Sequence, residues 1–145
     1  MSMNWTKEQQ QVIKLDNRNI LVSAAAGSGK TAVLVERIIQ KITDPKHPVD
    51  IDRLLVVTFT KAAAAEMRER IGAAIDKLRE TQSEDVNLER QLTLIHNAQI
   101  TTIDSFCLYV VRNHFQEINL DPNFRIADPG EIQLLEKDVL GEVFE

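Results

Sequence analysis

Hydrophobic residues along the chain form two kinds of pattern, short continuous runs and helical repeats. Continuous runs at residues 19–23, 53–58 and 99–102 have the length of buried strands. Elsewhere apolar residues recur every three or four positions, as on one face of an amphipathic helix. This spacing predicts helices from Thr6 to about Leu15 and over residues 30–42, 61–80, 87–97, 104–115 and 130–145.

Capping residues and prolines support these boundaries. Thr6 and Thr60 each precede a helical pattern and can accept a hydrogen bond from its first turn. Either Thr102 or Asp104 can do the same for the helix that follows residues 99–102. Two proline-containing segments are expected to be loops, at residues 44–52 and 119–129.

Strands that alternate with helices predict an α/β fold with a parallel sheet flanked by helices. Because the run at 53–58 is continuously apolar, we expect both faces of the sheet to be covered. Ligands of such folds bind at the carboxyl ends of the strands. We predict a main domain over residues 1–118, followed by a loop and an amphipathic helix over 119–145. The apolar face of this last helix is expected to pack on further sequence or to self-associate; it comprises Ile132, Leu135, Val139 and Val143.

Composition and charge exclude several classes of protein. Apolar residues make up 43% and charged residues 27%, which is typical of a globular domain. The formal net charge of -5 argues against a protein that coats DNA by bulk charge, but not against a local strand-binding groove. No run is long enough to span a membrane or to form a signal-peptide core, so we expect a cytoplasmic location. The single cysteine, Cys107, excludes an internal disulfide, and we expect it to be a small buried hydrophobe.

The first strand-like run leads into a glycine-containing loop. The loop reads Ala24-Ala25-Ala26-Gly27-Ser28-Gly29-Lys30-Thr31 and matches the phosphate-loop pattern except at Ala24, where the pattern has glycine. Gly27 and Gly29 permit the backbone angles that turn N–H groups toward an anion. The helix that follows directs its positive end at phosphates. We predict that Lys30 contacts the β- and γ-phosphates and that the Thr31 hydroxyl ligates Mg²⁺.

The ends of the other two strand-like runs carry candidate nucleic-acid contacts. Phe59 lies between Thr58 and Thr60, so its ring is expected either to stack on a base or to be buried under the sheet. The hydroxyls of Thr102 and Ser105 are expected either to contact a strand or to cap a helix. The helix predicted over residues 61–80, between these two strand-like runs, carries basic residues that are expected to form a solvated face; they are Arg68, Arg70, Lys77 and Arg79.

Four segments occur in a fixed order: WTKEQ at 5–9, the loop at 24–31, TFTKAAAAEMRER at 58–70 and TTIDSFC at 101–107. They resemble the Q motif, the phosphate loop, motif Ia and motif Ib of the UvrD/Rep-like superfamily-1A DNA helicases. With LDPNFRIAD at 120–128, the set is most similar to the branch formed by the A subunits of bacterial AddAB helicase–nucleases. Two positions depart from the broader family, Ala62 in place of lysine and Asp104 in place of histidine, and we treat Asp104 as a helix cap.

The resemblance implies the amino-terminal part of a RecA-like P-loop motor domain, domain 1A, that uses ATP and Mg²⁺. It implies that Gln9 pairs with adenine, that single-stranded or duplex DNA is the substrate, and that a B subunit completes a heterodimer. It also implies a role in double-strand break resection and recombinational repair in the bacterial cytoplasm.

No acidic strand end of the kind that holds Mg²⁺ in a complete motor follows residues 101–107. We therefore expect a fragment that binds nucleotide without processive hydrolysis. Two alternatives stay open. The chain is a complete small nucleotide-binding module with Asp104 as its metal carboxylate, or a nucleic-acid-binding module that uses no nucleotide.

Overall fold

A computed structural model of the chain describes residues 4–25, 27–82 and 85–144. It divides into two compact units, Met1–Cys107 and Leu108–Glu145. Six α-helices lie in the described residues: α1 Lys7–Lys14, α2 Lys30–Ile42, α3 Lys61–Thr81, α4 Val86–Leu94, α5 Ile103–Asn113 and α6 Pro129–Phe144. Two strands, β1 Leu55–Thr58 and β2 Gln99–Thr102, and two short 3-10 helices, Ile51–Arg53 and Phe115–Ile118, complete the structure.

The sheet consists of β1 and β2, paired in parallel. Leu55 lies opposite Gln99 and Thr58 lies opposite Thr102, so the two strands end side by side. A parallel pair needs a crossover, and α3 with α4 provides it. The parallel α/β pairing predicted from the sequence is confirmed for these two strands.

The hydrophobic core of the first unit lies where α2, α3 and α4 pack with one face of the sheet. The helices contribute mainly isoleucines to this core. These side chains meet there because apolar residues recur on one face of each helix. The core residues from these elements are Ile38, Ile39, Ile42, Met67, Ile71, Ile75, Leu88, Val56 and Ile100. Ile42, Ile71, Ile75 and Leu88 are fully buried, so this cluster positions the two helices that follow the loop and β1.

Two expectations about the sheet are wrong. Residues 19–23 form no strand, and Leu21 in that segment is 98% exposed. The other face of β1 is open, because Leu55 is 49% and Val57 41% exposed. The open face means that no side chains of the described residues fully cover Leu55 and Val57. The absence of a strand at residues 19–23 is a separate matter of pairing. A strand is held by hydrogen bonds to a neighbour, and among the described residues β1 and β2 pair only with each other.

Two side chains differ from the sequence-based expectation. Arg68 is not part of a solvated face. Its guanidinium donates to the carbonyl oxygens of Ala98 and Ile100 at 3.1 Å each, and also to that of Ile95. Ile95 and Ala98 precede β2, and Ile100 lies within β2. The half-buried Arg68 therefore supplies hydrogen-bond donors to backbone carbonyls at the start of this strand. Cys107 is exposed rather than buried, and it lies on α5, none of whose residues is fully buried.

The expectation of a solvated face holds for two other basic residues of α3. Arg70 pairs with Glu66 at 2.6 Å and Arg79 with Asp76 at 3.3 Å, all on the surface. Pairs three or four residues apart on a helix face each other in this way.

In the second unit, Asp128 caps α6 and Pro129 is its first residue. The Asp128 carboxylate accepts from the N–H groups of Gly130 and Glu131 at 2.8 and 3.0 Å. The apolar side chains predicted to form one face of this helix are all exposed, between 44% and 71%; they are Ile132, Leu135, Val139 and Val143. None of the helices in the described part of the chain combines the length and apolar character that a membrane-spanning helix requires.

Candidate functional site

The glycine loop has the backbone conformation that the sequence predicts. Gly27 and Gly29 have φ angles of 77° and 81°, in the left-handed region that residues with a Cβ rarely adopt. The Ser28 N–H donates to the Ala25 carbonyl at 3.3 Å and closes a turn. Ala26 lies outside the described residues. Left-handed glycines that alternate with other residues turn neighbouring N–H groups to one side, as anion-binding loops require.

The loop ends at the amino terminus of α2, where Lys30 is the first helical residue. The Lys30 ammonium donates to the carbonyl oxygens of Ala24 and Ala25, each at 2.7 Å, and so lies over the loop. Thr31 is the second residue of α2 and is exposed. A helix amino terminus, a lysine ammonium and a hydroxyl are therefore brought to one place, a combination that suits phosphate groups.

Gln9 connects α1 to this loop through its side-chain amide. Its Nε2 donates to the Ser28 carbonyl at 3.2 Å, and its Oε1 accepts from the Thr6 N–H at 2.9 Å. The Thr6 hydroxyl accepts in return from the Gln9 N–H, which completes a capping box. A glutamine amide has two N–H donors and two acceptor lone pairs. One N–H and one lone pair of Gln9 thus stay available, which is the pattern that pairs with the N6 and N7 edge of adenine.

A cleft of about 490 Å³ lies beside the loop, between α1 and α2. Its polar lining includes one acidic residue, and the polar residues are Thr6, Glu8, Gln9, Ser23, Ser28 and Lys30. Apolar side chains line the remainder; these are Val12, Val22, Ala24, Val33 and Leu34. A mostly apolar cleft with a few convergent polar groups is typical of small-molecule sites. A larger groove of about 690 Å³ between α2 and α3 contains Trp5 but none of the loop residues, so the smaller cleft is the nucleotide candidate.

Arg37 lies within the predicted helix over residues 30–42, but sequence reasoning missed what its side chain does. Its Nη1 donates to the Val12 and Ile13 carbonyls at 2.6 and 3.2 Å, and its Nη2 lies 3.7 Å from the Asp16 carboxylate. The signal was available, because a charged residue within an otherwise apolar helix face is buried only when it has partners.

Asp16 lies in the loop after α1, where Lys41 of α2 donates to its carboxylate at 2.5 Å. This hydrogen bond and the charge of Lys41 lower the pKa of Asp16, and the charge of Arg37 adds to the effect. Two cations of α2 therefore hold the end of α1 and the residues that follow it.

The candidate strand contacts gather where β1 and β2 end. Phe59 is 94% exposed, so the prediction that its ring could be buried under the sheet is wrong, and its face is open to a partner. The hydroxyl of Thr58 donates to the carbonyls of Thr60 and Thr101 at 3.0 and 3.4 Å. The Thr60 hydroxyl accepts from the Ala63 N–H and caps α3, as predicted.

At the end of β2 the hydroxyls are used for capping. Thr102 is 7% exposed, accepts from the Ser105 N–H at 3.2 Å and donates to the Ser105 hydroxyl at 2.9 Å. Thr102 therefore caps α5, and the treatment of Asp104 as the cap is wrong, because Asp104 lies inside the first turn. A contact of Thr102 or Ser105 with a nucleic-acid strand stays a prediction.

Comparisons with known proteins found a matching family model and several similar proteins. The family model described as the UvrD/REP helicase N-terminal domain matches residues 5–144. The chain is 63% identical over 142 residues to the A subunit of the ATP-dependent helicase/nuclease from Lachnoclostridium phytofermentans, a match that covers 98% of this chain and 10% of that protein. It is 62% identical over 143 residues to the protein of the same name from Clostridium novyi, covering 99% of this chain and 12% of that protein. For the Clostridioides difficile protein the identity is 59% over 144 residues, covering 99% of this chain and 11% of that protein. The chain thus spans about a tenth of the length of these curated relatives.

Proposed function

The chain belongs to the UvrD/REP helicase N-terminal domain family, and we propose that it supplies the phosphate-binding half-site of an ATP-dependent DNA helicase motor. The observation that carries the proposal is the loop itself. Two left-handed glycines, the amino terminus of α2 and the Lys30 ammonium converge there. The proposal includes a RecA-like P-loop fold, of which the β1–β2 pair and its helices form part.

The residues of the site fit ATP. Both glycines have backbone angles that residues with a Cβ rarely adopt, and the loop carbonyls now bonded to Lys30 could be exchanged for phosphate oxygens. Lys30 would hold the β- and γ-phosphates, and the free N–H and lone pair of Gln9 would hold the adenine edge. Mg²⁺, when bound, would neutralise phosphate charge, and Thr31 is the residue of this chain that would contact it.

We propose that the carboxyl ends of β1 and β2 contact single-stranded DNA. Phe59 supports this, because a fully exposed aromatic ring at the end of a strand offers a face on which any base can stack.

For the whole protein to which this chain corresponds, we propose ATP-driven translocation on DNA together with nuclease activity. The relatives are named as A subunits of an ATP-dependent helicase/nuclease, and this name supports both the activity and the presence of a second subunit. Double-strand break resection with a B subunit is the function that the sequence resemblance implies. The domain boundary between residues 118 and 119 stays a prediction.

The test is a calorimetric titration of the chain with Mg²⁺ and a non-hydrolysable ATP analogue, beside Lys30→Ala. We expect saturable binding in the wild type that Lys30→Ala abolishes, because the loop then lacks its only cationic side chain. Lys77→Ala, which removes an exposed lysine of α3, is the matched control and should bind like the wild type. Equal binding by wild type and Lys30→Ala, or no binding by a folded wild type, would overturn the proposal.

A further inference from the structure

Among the described residues of α2, Arg37 is the only one whose side chain donates a hydrogen bond to the backbone of α1. We propose that Arg37 is a positioning residue for recognition of the nucleotide base. By holding the carboxyl end of α1, Arg37 fixes the Gln9 amide where the adenine would bind in the cleft. This inference rests on the proposed nucleotide site and concerns only the part of the affinity that depends on the base.

Geometry connects the two residues. Val12 and Ile13 follow Gln9 by three and four positions, so they lie one turn along α1 on the same face, about 5 Å away. Ile13 is 5% exposed and packs this face into the protein. An apolar contact allows a helix to slide or rotate by small amounts, whereas hydrogen bonds to two successive carbonyls allow much less. The Arg37 contact therefore sets the position of Gln9 along the cleft.

Charge and burial make this contact specific for arginine. Val12 and Ile13 are in the last turn of α1, whose carbonyls lack partners within the helix and carry its negative end. The Arg37 side chain is 18% exposed, so its charge is largely removed from water and stays paired there. Its planar fork lets one nitrogen contact these carbonyls while the other faces Asp16. A lysine ammonium has no such fork.

The phosphate end of the site is held differently. Gly27, Gly29 and Lys30 belong to the loop and to α2 itself, and the Lys30 ammonium is bonded to carbonyls of the loop rather than to α1. Among the described residues, the side-chain hydrogen bond that joins α1 to the loop is that from Gln9 to the Ser28 carbonyl, and Arg37 does not take part in it. Loss of the Arg37 contact should therefore weaken the interaction with the base and spare the interaction with the phosphates.

The experiment separates these two parts with three ligands. Binding of a non-hydrolysable ATP analogue, the matching GTP analogue and inorganic tripolyphosphate is measured with Mg²⁺ for each variant. The variants are Arg37→Met, Arg37→Lys, Gln9→Ala, the double variant of Gln9→Ala with Arg37→Met, and the control Arg70→Met. Arg70 has the same charge, and its surface ion pair is with Glu66 of α3 rather than with the backbone of α1.

We expect the wild type to prefer the ATP analogue over the GTP analogue by about fivefold or more, the size of one good amide–base pair. Arg37→Met and Gln9→Ala should each lose this preference, and Arg37→Met should keep its tripolyphosphate affinity. The double variant should lose no more than either single one, because both remove the same interaction. Arg37→Lys should keep part of the preference, and Arg70→Met all of it.

The possible failures are distinct. A folded wild type that binds neither analogue overturns the proposed nucleotide site itself. A wild type whose base preference survives in Arg37→Met overturns the role of Arg37, as does a loss of tripolyphosphate affinity equal to the loss of ATP affinity. If circular dichroism shows that Arg37→Met does not fold, Arg37→Lys decides: wild-type preference in that variant overturns the inference.

Discussion

The loop at residues 24–31 and the strand ends near Phe59 are both predicted binding sites, yet they are built in opposite ways. At the loop the groups that would meet a ligand are held by one another: Lys30 by two carbonyls and Gln9 by Thr6 and Ser28. At the strand ends the hydroxyls of Thr60 and Thr102 are used to cap helices, and the ring of Phe59 extends into solvent.

The difference follows from the two ligands. A phosphate has a fixed shape and charge, so a loop whose N–H groups and lysine are already placed binds it without further ordering. A single strand presents bases of varying identity, and an exposed aromatic face accepts any of them. Backbone conformation should therefore matter most at the loop, and side-chain surface at the strand ends. The following changes test this contrast.

The largest effect is expected for Phe59→Ala on binding of a labelled single-stranded oligonucleotide, measured by fluorescence anisotropy at low salt. Base–aromatic stacking contributes about 1–3 kcal/mol for each base, so affinity should fall at least about fivefold. Binding of the ATP analogue should not change. Phe144→Ala is the matched control, because Phe144 is also 84% exposed but lies at the end of α6. Equal loss in both variants would show that exposed phenylalanines bind the oligonucleotide without specificity.

Gly29→Ala should weaken nucleotide binding and leave strand binding intact. The left-handed backbone at φ 81° costs alanine roughly 1–2 kcal/mol, and the added Cβ would lie 3.6 Å from Nε2 of Gln9. Gly27→Ala has the same backbone strain with no atom within 4 Å, so its loss should be equal or smaller. Calorimetric titration with the ATP analogue measures both.

The control for these variants is Gly141→Ala within α6, where the new Cβ meets no atom within 4 Å. It should leave nucleotide binding unchanged, since alanine is a better helix former than glycine. Wild-type affinity in Gly29→Ala would contradict the dependence of the site on backbone conformation.

Thr60→Ala tests whether the hydroxyl at the end of β1 serves α3 rather than a ligand. Loss of an N-cap costs about 1 kcal/mol, so the free energy of unfolding in urea should fall by that amount. Oligonucleotide affinity should change little at temperatures where the variant is folded. Thr93→Ala, in the last turn of α4, removes a hydroxyl that caps no helix amino terminus and should not reduce stability. A large loss of strand affinity with unchanged stability would reverse the assignment.

The smallest effect is expected for Asp16→Asn, which removes the acidic partner of Lys41 and Arg37. Because the pKa of Asp16 lies below its usual value of 3.8, the ionised carboxylate stabilises the folded state above about that pH. This contribution should disappear as the pH falls through the lowered pKa. The free energy of unfolding, measured between pH 7 and pH 2, should therefore be larger for the wild type than for Asp16→Asn. This difference should shrink only at acidic pH.

The partner residue provides the control for that measurement. Lys41→Met should cause a similar loss at pH 7 and should add nothing in the Asp16→Asn background, because both changes break one pair. Additive losses would mean that the two side chains stabilise the protein through different contacts.

Local rules in the sequence determined much of this structure. The caps Thr6 and Thr60, the helix Lys30–Ile42 and the strand Gln99–Thr102 follow from hydrogen-bonding side chains and apolar spacing, which act over a few residues. The glycine loop was identified for the same reason, since the left-handed angles are a property of each glycine.

Tertiary structure alone decided the features that depend on distant partners. Residues 19–23 have the composition of a strand but are not paired with β1 or β2, so an apolar run by itself did not suffice. Arg37, Arg68 and Arg70 are all basic residues on helices, yet the first two bind backbone carbonyls and the third a surface glutamate. Which carbonyls lie within reach depends on how helices and strands pack, and that packing joins residues about 25 to 30 positions apart.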